Sequence, residues 1–283
     1  MQPVRIGKIN ISRVEELIWT ISPRFLFPDM TYSDLEPYRD WLVPQFCADD
    51  LKLKLSIHTF VVRTPHHTIL VDTCIGNDRQ RDIPLWTRMQ TDYLKRLRAA
   101  GVDPEAVDIV FCTHMHVDHV GWNTHLQDGA WVPTFPNARY LFHRQEWEHW
   151  QQTQDANQAA VMRDSVLPII DAGLAEMVDA NHVIMEGIYL EPTPGHTPGH
   201  CSVHLTSEGA DAVITGDMMH HPWQIAEPYR TSRACVDPAL AIQTRTAFVQ
   251  QYADTSTCIL GTHFAPPTAL HIVSRGETFG VRY

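Results

Sequence analysis

Four side chains able to bind a metal ion lie within six residues of one another. The segment Thr113–Gly121 reads THMHVDHVG and supplies His114, His116, Asp118 and His119. Because residues two apart in an extended chain point the same way, His114 and His116 are expected to share one side of the segment. Imidazole and carboxylate together suit zinc, iron, manganese or cobalt. The cluster therefore predicts a metal site.

Three further candidates lie later in the chain, each next to a glycine-containing turn. His196 is in PGHTPGH, Asp217 in TGD and His263 in GTH. The bland alternative is a set of surface histidines, since the chain contains 17 of them. The combined pattern favours two divalent ions around one activated water, because paired cations lower the pKa of a water enough to give a nucleophile at neutral pH.

Short apolar strands are predicted directly before most of these candidates. The runs 108–112, 211–215 and 256–260 precede the His114 cluster, Asp217 and His263 by one to three residues. Loops at strand ends can hold ligands rigidly while leaving one side open to a substrate.

The remaining pattern alternates strands and helices. Alternating or β-branched stretches predict strands at 51–57 with 60–62, at 68–71 and at 138–142. One helix is predicted from Trp86 to Leu97 with Gly101 as its end signal, and a second near 145–154. A third begins at Asp237-Pro238, an acidic cap followed by proline.

Size and composition limit the class of protein. A chain of 283 residues with 44% hydrophobic and 19% charged residues is globular. We expect a single domain over 1–283, in which residues 1–50 form an N-terminal extension. Its aromatic stretch, 18–28, could be a lid, a dimer contact or plain core, and core is slightly favoured.

Charge and the absence of an apolar leader indicate the partners and the compartment. A net charge of −11 argues against nucleic acid as the main partner. No N-terminal stretch is apolar enough for a signal peptide or membrane span, so a cytoplasmic location without a membrane partner is expected. The six cysteines form no Cys-x-x-Cys pair and are expected to be reduced.

The order of these motifs resembles the metallo-β-lactamase superfamily. The matching segments are His-x-His-x-Asp-His, Pro-Gly-His-Thr-Pro-Gly-His, Gly-Asp and Gly-Thr-His, together with an early strand-end aspartate, Asp72. The resemblance spans about residues 50 to 265. It implies an α/β fold, an αββα four-layer sandwich of two mixed sheets with outer helices, and a metal site at one edge of the sheets.

The resemblance also implies how the ligands divide. His114, His116 and His196 would hold the first metal; Asp118, His119 and His263 would hold the second; Asp217 would bridge both. The ions would most simply be zinc, with iron, manganese or cobalt as alternatives. Asp72 would fix the histidine loop through hydrogen bonds, although an ordinary turn carboxylate is an equal alternative. His200 is expected to be structural.

Within the superfamily, the chain resembles most the branch of N-acyl-homoserine-lactone lactonases and methyl-parathion-hydrolase-like enzymes. True β-lactamases of the superfamily lack a bridging aspartate, so Asp217 argues against that activity. Typical lactonases carry tyrosine three residues after this aspartate, whereas this chain has His220. His220 could donate to an oxyanion or shuttle a proton, or it could merely pack near the metals.

These features predict a dinuclear hydrolase that uses a bridging hydroxide to cleave a lactone or ester in a fairly apolar small molecule. Asp118 or His220 would hand a proton to the leaving group. The alternatives are a phosphotriester hydrolase of the same branch and an iron-dependent, persulfide-dioxygenase-like oxidoreductase. A small-molecule substrate is the expected partner, and a homodimer is a further prediction. The predicted substrate pocket is formed by Trp122, His143, Met218, Met219, Trp223 and Phe264.

Overall fold

The structure is a computed structural model, and it describes residues 3–283. The strands are β1 (Val4–Ile6), β2 (Ile9–Ile21), β3 (Leu53–Arg63), β4 (Thr68–Val71), β5 (Ile109–Phe111), β6 (Thr124–Gln127), β7 (Ala130–Pro133), β8 (Arg139–His143), β9 (Ala175–Val178), β10 (Val183–Met185), β11 (Ile188–Pro192), β12 (Cys201–Ser207), β13 (Ala210–Ile214), β14 (Cys258–Leu260), β15 (Ala269–Arg275) and β16 (Thr278–Arg282). The helices are α1 (Pro23–Leu26), α2 (Arg39–Leu42), α3 (Tyr93–Ala99), α4 (Arg144–Trp150), α5 (Ala156–Val161), α6 (Leu167–Asp171), α7 (Trp223–Ala226) and α8 (Pro238–Tyr252).

The chain divides into two compact units whose segments interleave along the sequence. The central unit contains Lys8–Glu16 and Ile57–Asp179. The C-terminal unit contains residues 3–7, Leu17–Ser56 and Ala180–Tyr283. The expected single domain over 1–283 stays a prediction.

The central unit is built on a mixed sheet with the strand order β2-β3-β4-β5-β8-β9. Strands β4, β5, β8 and β9 run parallel, and β3 pairs antiparallel with β4. Parallel strands buried on both faces read as continuous apolar runs, which is the pattern of Ile109–Phe111. The carboxyl ends of β4 and β5 therefore lie side by side, with Val71 opposite Phe111.

The C-terminal unit contains a second mixed sheet, in which β10 to β16 follow one another in sequence order. Only β13 and β14 pair in parallel among its registered strands, and Ile214 lies opposite Leu260. The predicted α/β class with two mixed sheets is confirmed. Helix α8 begins where it was predicted, because the Asp237 carboxylate accepts the backbone N–H of Leu240.

The predicted helix from Trp86 to Leu97 is wrong in its first half. Trp86 ends a short 3-10 turn, and only Tyr93–Ala99 is α-helical. Arg88 between them adopts a left-handed backbone with φ of 50°, which a continuous right-handed helix does not allow. The predicted end signal at Gly101 is present, since its φ is 76°.

Part of the aromatic N-terminal stretch 18–28 is buried within the C-terminal unit: Leu26 and Phe27 are buried, whereas Ile18 and Phe25 are exposed. Whether this stretch is a lid, a dimer contact or plain core stays a prediction. Phe27, Leu42 and Phe46 belong to one buried cluster that also contains Trp223. The rings of Phe27 and Trp223 meet edge to face, with centroids 5.8 Å apart. No helix within residues 3–283 is long and apolar enough to cross a membrane.

His221 contacts this cluster through Phe46, and its burial leads us to expect a folding stability that depends on pH. Its Nε2–H donates to the Phe46 carbonyl at 2.9 Å, and burial, opposed by that bond, lowers its pKa to about 4. The unfolded state therefore binds the extra proton between pH 6.5 and 4, and stability is lost as pH falls through that window. We expect a loss of about 3 kcal/mol in unfolding free energy, since each pKa unit is worth about 1.4 kcal/mol.

Denaturant titrations of the metal-free protein across this pH range measure the effect. His221→Gln should flatten the slope, whereas exchange of the exposed His66 for glutamine should leave it unchanged. An equal slope in wild type and His221→Gln would contradict the prediction.

Candidate metal centre

The histidine-rich loop follows β5 in the central unit and gathers its four candidate ligands. The ring of His114 lies 4.1 Å from that of His119 and 4.6 Å from that of His116, between centroids. His119 Nε2 is 3.6 Å from Asp118 Oδ1. His114 and His119 are fully buried, whereas His116 and Asp118 are half-buried. The loop therefore brings imidazole and carboxylate donors close together, and their role as metal ligands stays a prediction.

Asp72 lies directly under this loop because β4 and β5 are parallel neighbours. Its Oδ1 accepts the backbone N–H of Thr113 at 2.8 Å and the Thr113 hydroxyl at 3.0 Å. Its Oδ2 is 2.9 Å from His119 Nδ1. A carboxylate at Nδ1 orients an imidazole so that Nε2 is left to bind a metal. This geometry favours the orienting role over an ordinary turn carboxylate.

The loop has two further supports that the sequence did not reveal. Glu146 accepts the backbone N–H of Met115 at 3.2 Å and the indole N–H of Trp150 at 2.7 Å. Gln158 donates to the Met115 carbonyl at 2.6 Å. Both come from helices far along the chain, so no local pattern identifies them.

Asp72→Asn should weaken metal binding more than it weakens the fold. Asparagine tolerates the left-handed backbone of Asp72, whose φ is 60°, but it loses the anionic oxygen that faces His119. Replacing such a partner typically costs about 10–100-fold in metal affinity or activity. Metal titration and thermal unfolding measure the two effects. Asp128→Asn is the matched control, since Asp128 is exposed and has a φ of 51°; equal affinities in both variants would refute the role.

In the C-terminal unit, Asp217 and His263 follow the adjacent parallel strands β13 and β14. Their side chains consequently meet, with His263 Nε2 3.0 Å from Asp217 Oδ1. The His263 Nδ1 lies 3.1 Å from the Ser56 carbonyl, which fixes the ring with Nε2 toward the carboxylate. Both residues are buried.

His196 approaches the other oxygen of the same carboxylate. Its Nε2 is 3.5 Å from Asp217 Oδ2, and its Nδ1 is 3.7 Å from the Cys235 sulfur. The turn before it depends on Gly195, whose φ is 124° and where a Cβ would lie 2.3 Å from the Ala241 nitrogen. Glycine thus lets this loop pack against the start of α8. The contact with Cys235 was not foreseen, because nothing in the sequence links it to His196.

His200 is structural, as expected, and the contact it makes bears on the site. Its Nε2 accepts the backbone N–H of Asp217 at 2.8 Å, while its Nδ1 lies 2.8 Å from the Thr193 hydroxyl. The Ser202 hydroxyl continues the network from Thr193 to the carbonyl of Thr215 at 2.8 Å. The backbone from Thr215 to Asp217 is therefore held by buried hydrogen bonds.

His220 is also placed at this carboxylate, with Nε2 3.3 Å from Asp217 Oδ2. Its ring centroid is 4.9 Å from that of His196. Burial lowers the pKa of His220, and the nearby Asp217 opposes this shift only in part. His196, Asp217 and His220 are spaced closely enough for one ion to contact all three.

The residues predicted to form a pocket are mostly buried in this structure. Met218, Met219 and Phe264 belong to one buried core cluster of the C-terminal unit, and Trp223 belongs to the other. In the central unit, Trp122 donates its indole N–H to Glu16 and stacks on Tyr93, and His143 is buried at the end of β8. Contact of these side chains with a substrate stays a prediction.

The donors fit divalent transition metals by their chemistry. Neutral imidazoles and carboxylates are preferred ligands of zinc and of iron, manganese and cobalt. Two ligands that each lie about 2.0–2.2 Å from one ion are about 3.3 Å apart in tetrahedral geometry. The separations of 3.3 and 3.5 Å from Asp217 Oδ2 to His220 and His196 are close to this value, whereas the 3.0 Å between Oδ1 and His263 is shorter.

Comparison of the sequence with known protein families identifies the family to which the chain belongs. The family model described as the metallo-beta-lactamase superfamily matches residues 54–255. An N-acyl homoserine lactonase from a Bacillus species is 25% identical over 174 residues, and the match covers 57% of this chain. The lactonase AttM from Azorhizobium caulinodans is 31% identical over 150 residues, or 47% of this chain. The chain spans only 63% and 52% of the lengths of these two curated relatives.

Solved structures show the same fold over nearly the whole chain. AidC, described as a dizinc quorum-quenching lactonase in complex with a product, has a TM-score of 0.81 at 20% identity, covering 99% of this chain and 96% of AidC. The hydrolase AbOPH of the beta lactamase superfamily has a TM-score of 0.80 at 24% identity, covering 99% and 95%.

Proposed function

The chain belongs to the metallo-beta-lactamase superfamily, and from that membership we propose that it is a dinuclear metal-dependent hydrolase. The observation that carries the proposal is the carboxylate of Asp217. Its Oδ1 faces His263 and its Oδ2 faces His196, so its two oxygens are directed toward different imidazoles. A carboxylate arranged in this way is suited to bridge two ions.

The proposed ligand sets follow the family resemblance. By that resemblance, His114, His116 and His196 would hold one ion, Asp118, His119 and His263 would hold the other, and Asp217 would be shared by both. The close packing of the loop histidines and the contacts of Asp217 within its own unit support these sets. Zinc is the first choice of metal, because imidazole-rich sites of this kind suit it, with iron, manganese or cobalt as alternatives.

The bound ions would supply an activated water, which we propose is a bridging hydroxide. They would also polarise the substrate oxygen. The chain's own residues would orient the metal ligands and transfer protons. Asp72 holds the ring of His119, and His200 holds the backbone of Asp217. Asp118 is half-buried, so its carboxylate is accessible for passing a proton to a leaving group. Proton transfer by His220 stays the alternative.

The proposed substrate is a lactone or carboxylic ester in a fairly apolar small molecule. The curated relatives are named as N-acyl homoserine lactonases, and this supports the bond type. His220 stands where typical lactonases carry tyrosine, so we expect the groups around the substrate carbonyl to differ from theirs. Phosphotriesters are therefore the second class to test. The cytoplasmic location and the homodimer stay predictions.

A substrate panel tests the proposal. Zinc-loaded protein is assayed with lactones and aryl esters of increasing acyl length and with aryl phosphotriesters, and oxygen uptake with a persulfide is followed in the iron-loaded protein. We expect ester or lactone turnover that rises with acyl length. Asp118→Asn should slow substrates with poor leaving groups more than those with good ones. Oxygen uptake without any hydrolysis would overturn the proposal in favour of the oxidoreductase alternative.

A further inference from the structure

One oxygen of Asp217 faces two histidines of the same unit. Oδ2 is 3.5 Å from His196 Nε2 and 3.3 Å from His220 Nε2. These three donor atoms lie within 4.8 Å of one another, and all three residues are buried. The family ligand set uses His196 and Asp217 but gives no metal-binding role to the position of His220.

His220 Nε2 lies 3.3 Å from Asp217 Oδ2, and neither ring nitrogen of His220 has a well-directed hydrogen bond within the described part of the chain. The carboxylate of Asp217 nevertheless acts on this ring, since it opposes the lowering of the His220 pKa by burial. Two donors that bind a common ion lie at a separation of this size.

The backbone holds His220 in this orientation. The side-chain oxygen of Gln224 accepts the N–H groups of His220 at 2.7 Å and of His221 at 3.3 Å. His221 is in turn anchored on the Phe46 carbonyl. The imidazole of His220 is 3% exposed, and a buried ring without hydrogen bonds is costly unless another partner binds it.

We propose that His220 is a metal ligand, binding through Nε2 the ion that His196 and Asp217 contact. This assignment rests on the proposed dinuclear centre. It gives the ion one imidazole more than the family pattern provides. It also removes the Nε2 of His220 from the group of proton donors, because a ligating Nε2 carries no proton while Nδ1 keeps its own.

Metal titration of variants tests the assignment. Metal-free wild type, His220→Ala, His220→Glu and the control His204→Gln are titrated with zinc against a chromophoric chelator. His204 is a suitable control because it also faces carboxylates, Glu191 at 3.5 Å and Asp211 at 3.6 Å. Thermal unfolding of the metal-free proteins checks that each variant folds.

Wild type and His204→Gln should bind two equivalents. His220→Ala should bind one of them at least about 100-fold more weakly, since loss of an outer partner alone costs about 10–100-fold. His220→Glu should recover most of that affinity, because its carboxylate replaces the donor atom. In the cobalt-loaded protein, His220→Ala should also lack one of the hyperfine-shifted imidazole N–H resonances of wild type.

Two outcomes separate the possible failures. If wild type binds two equivalents and His220→Ala binds them equally well, the ligand assignment is overturned while the dinuclear hydrolase stands. If wild type binds fewer than two equivalents, the dinuclear centre itself is wrong and this assignment falls with it.

Discussion

Replacing Asp217 with alanine should abolish hydrolysis. Asp217 Oδ1 faces His263, and its Oδ2 faces His196 and His220, so the two oxygens serve different imidazoles. Removing it would leave His196 and His263 without the anion between them. Lewis-acid stabilisation by a metal is worth several kcal/mol, so we expect kcat/KM to fall by about 10³-fold or more.

The control for this variant is Asp211→Ala, on strand β13 a few residues earlier. The Asp211 side chain is 38% exposed, and its loss should change turnover by less than about twofold. Steady-state kinetics and metal content by elemental analysis are measured on both proteins. Asp217→Ala that keeps both metals and wild-type turnover would show that the carboxylate is not a bridging ligand.

Removing the metals should have the second large effect, on activity and stability together. Dialysis against a strong chelator should reduce hydrolysis by about 10³-fold, and added zinc, cobalt, manganese or iron should restore it. An ion at about 1,000 times its Kd stabilises the folded state by about 4 kcal/mol. The midpoint of thermal unfolding should therefore rise clearly when the metal is returned.

Magnesium and calcium serve as the comparison ions. They prefer oxygen ligands, so they should restore neither activity nor stability at an imidazole-rich site. Full activity after exhaustive chelation, with no detectable metal by elemental analysis, would contradict the prediction.

The candidate ligands could be predicted from the sequence because their positions relative to strands are local. Asp217 and His263 each follow a short apolar run, and the parallel pairing of β13 with β14 then brings the two side chains together. The same reasoning holds for Asp72 and the loop after β5. In both cases two neighbouring parallel strands end side by side, so the residues that follow them come into contact.

The supporting contacts could not be predicted, since they join residues far apart in sequence. Ser56 meets His263 across 207 positions, and Cys235 meets His196 across 39. The error at Trp86 has a different cause. Apolar residues recurred at helical spacing, but the turn at Pro84 and the left-handed Arg88 interrupt the helix. Periodicity reports which side chains are buried and not whether the backbone between them is continuous.

The interleaving of the two units affects how the protein is made in the cell. Residues 17–56 leave the ribosome before strands β10 to β16 have been translated, so Phe27 and Leu42 are synthesised long before Trp223, with which they form a core. Lys8–Glu16 and Ile57–Asp179 are complete much earlier. The aromatic segment of the nascent chain therefore lacks its core partners through most of translation. We expect chaperones to bind this segment, and we expect C-terminally truncated products to aggregate.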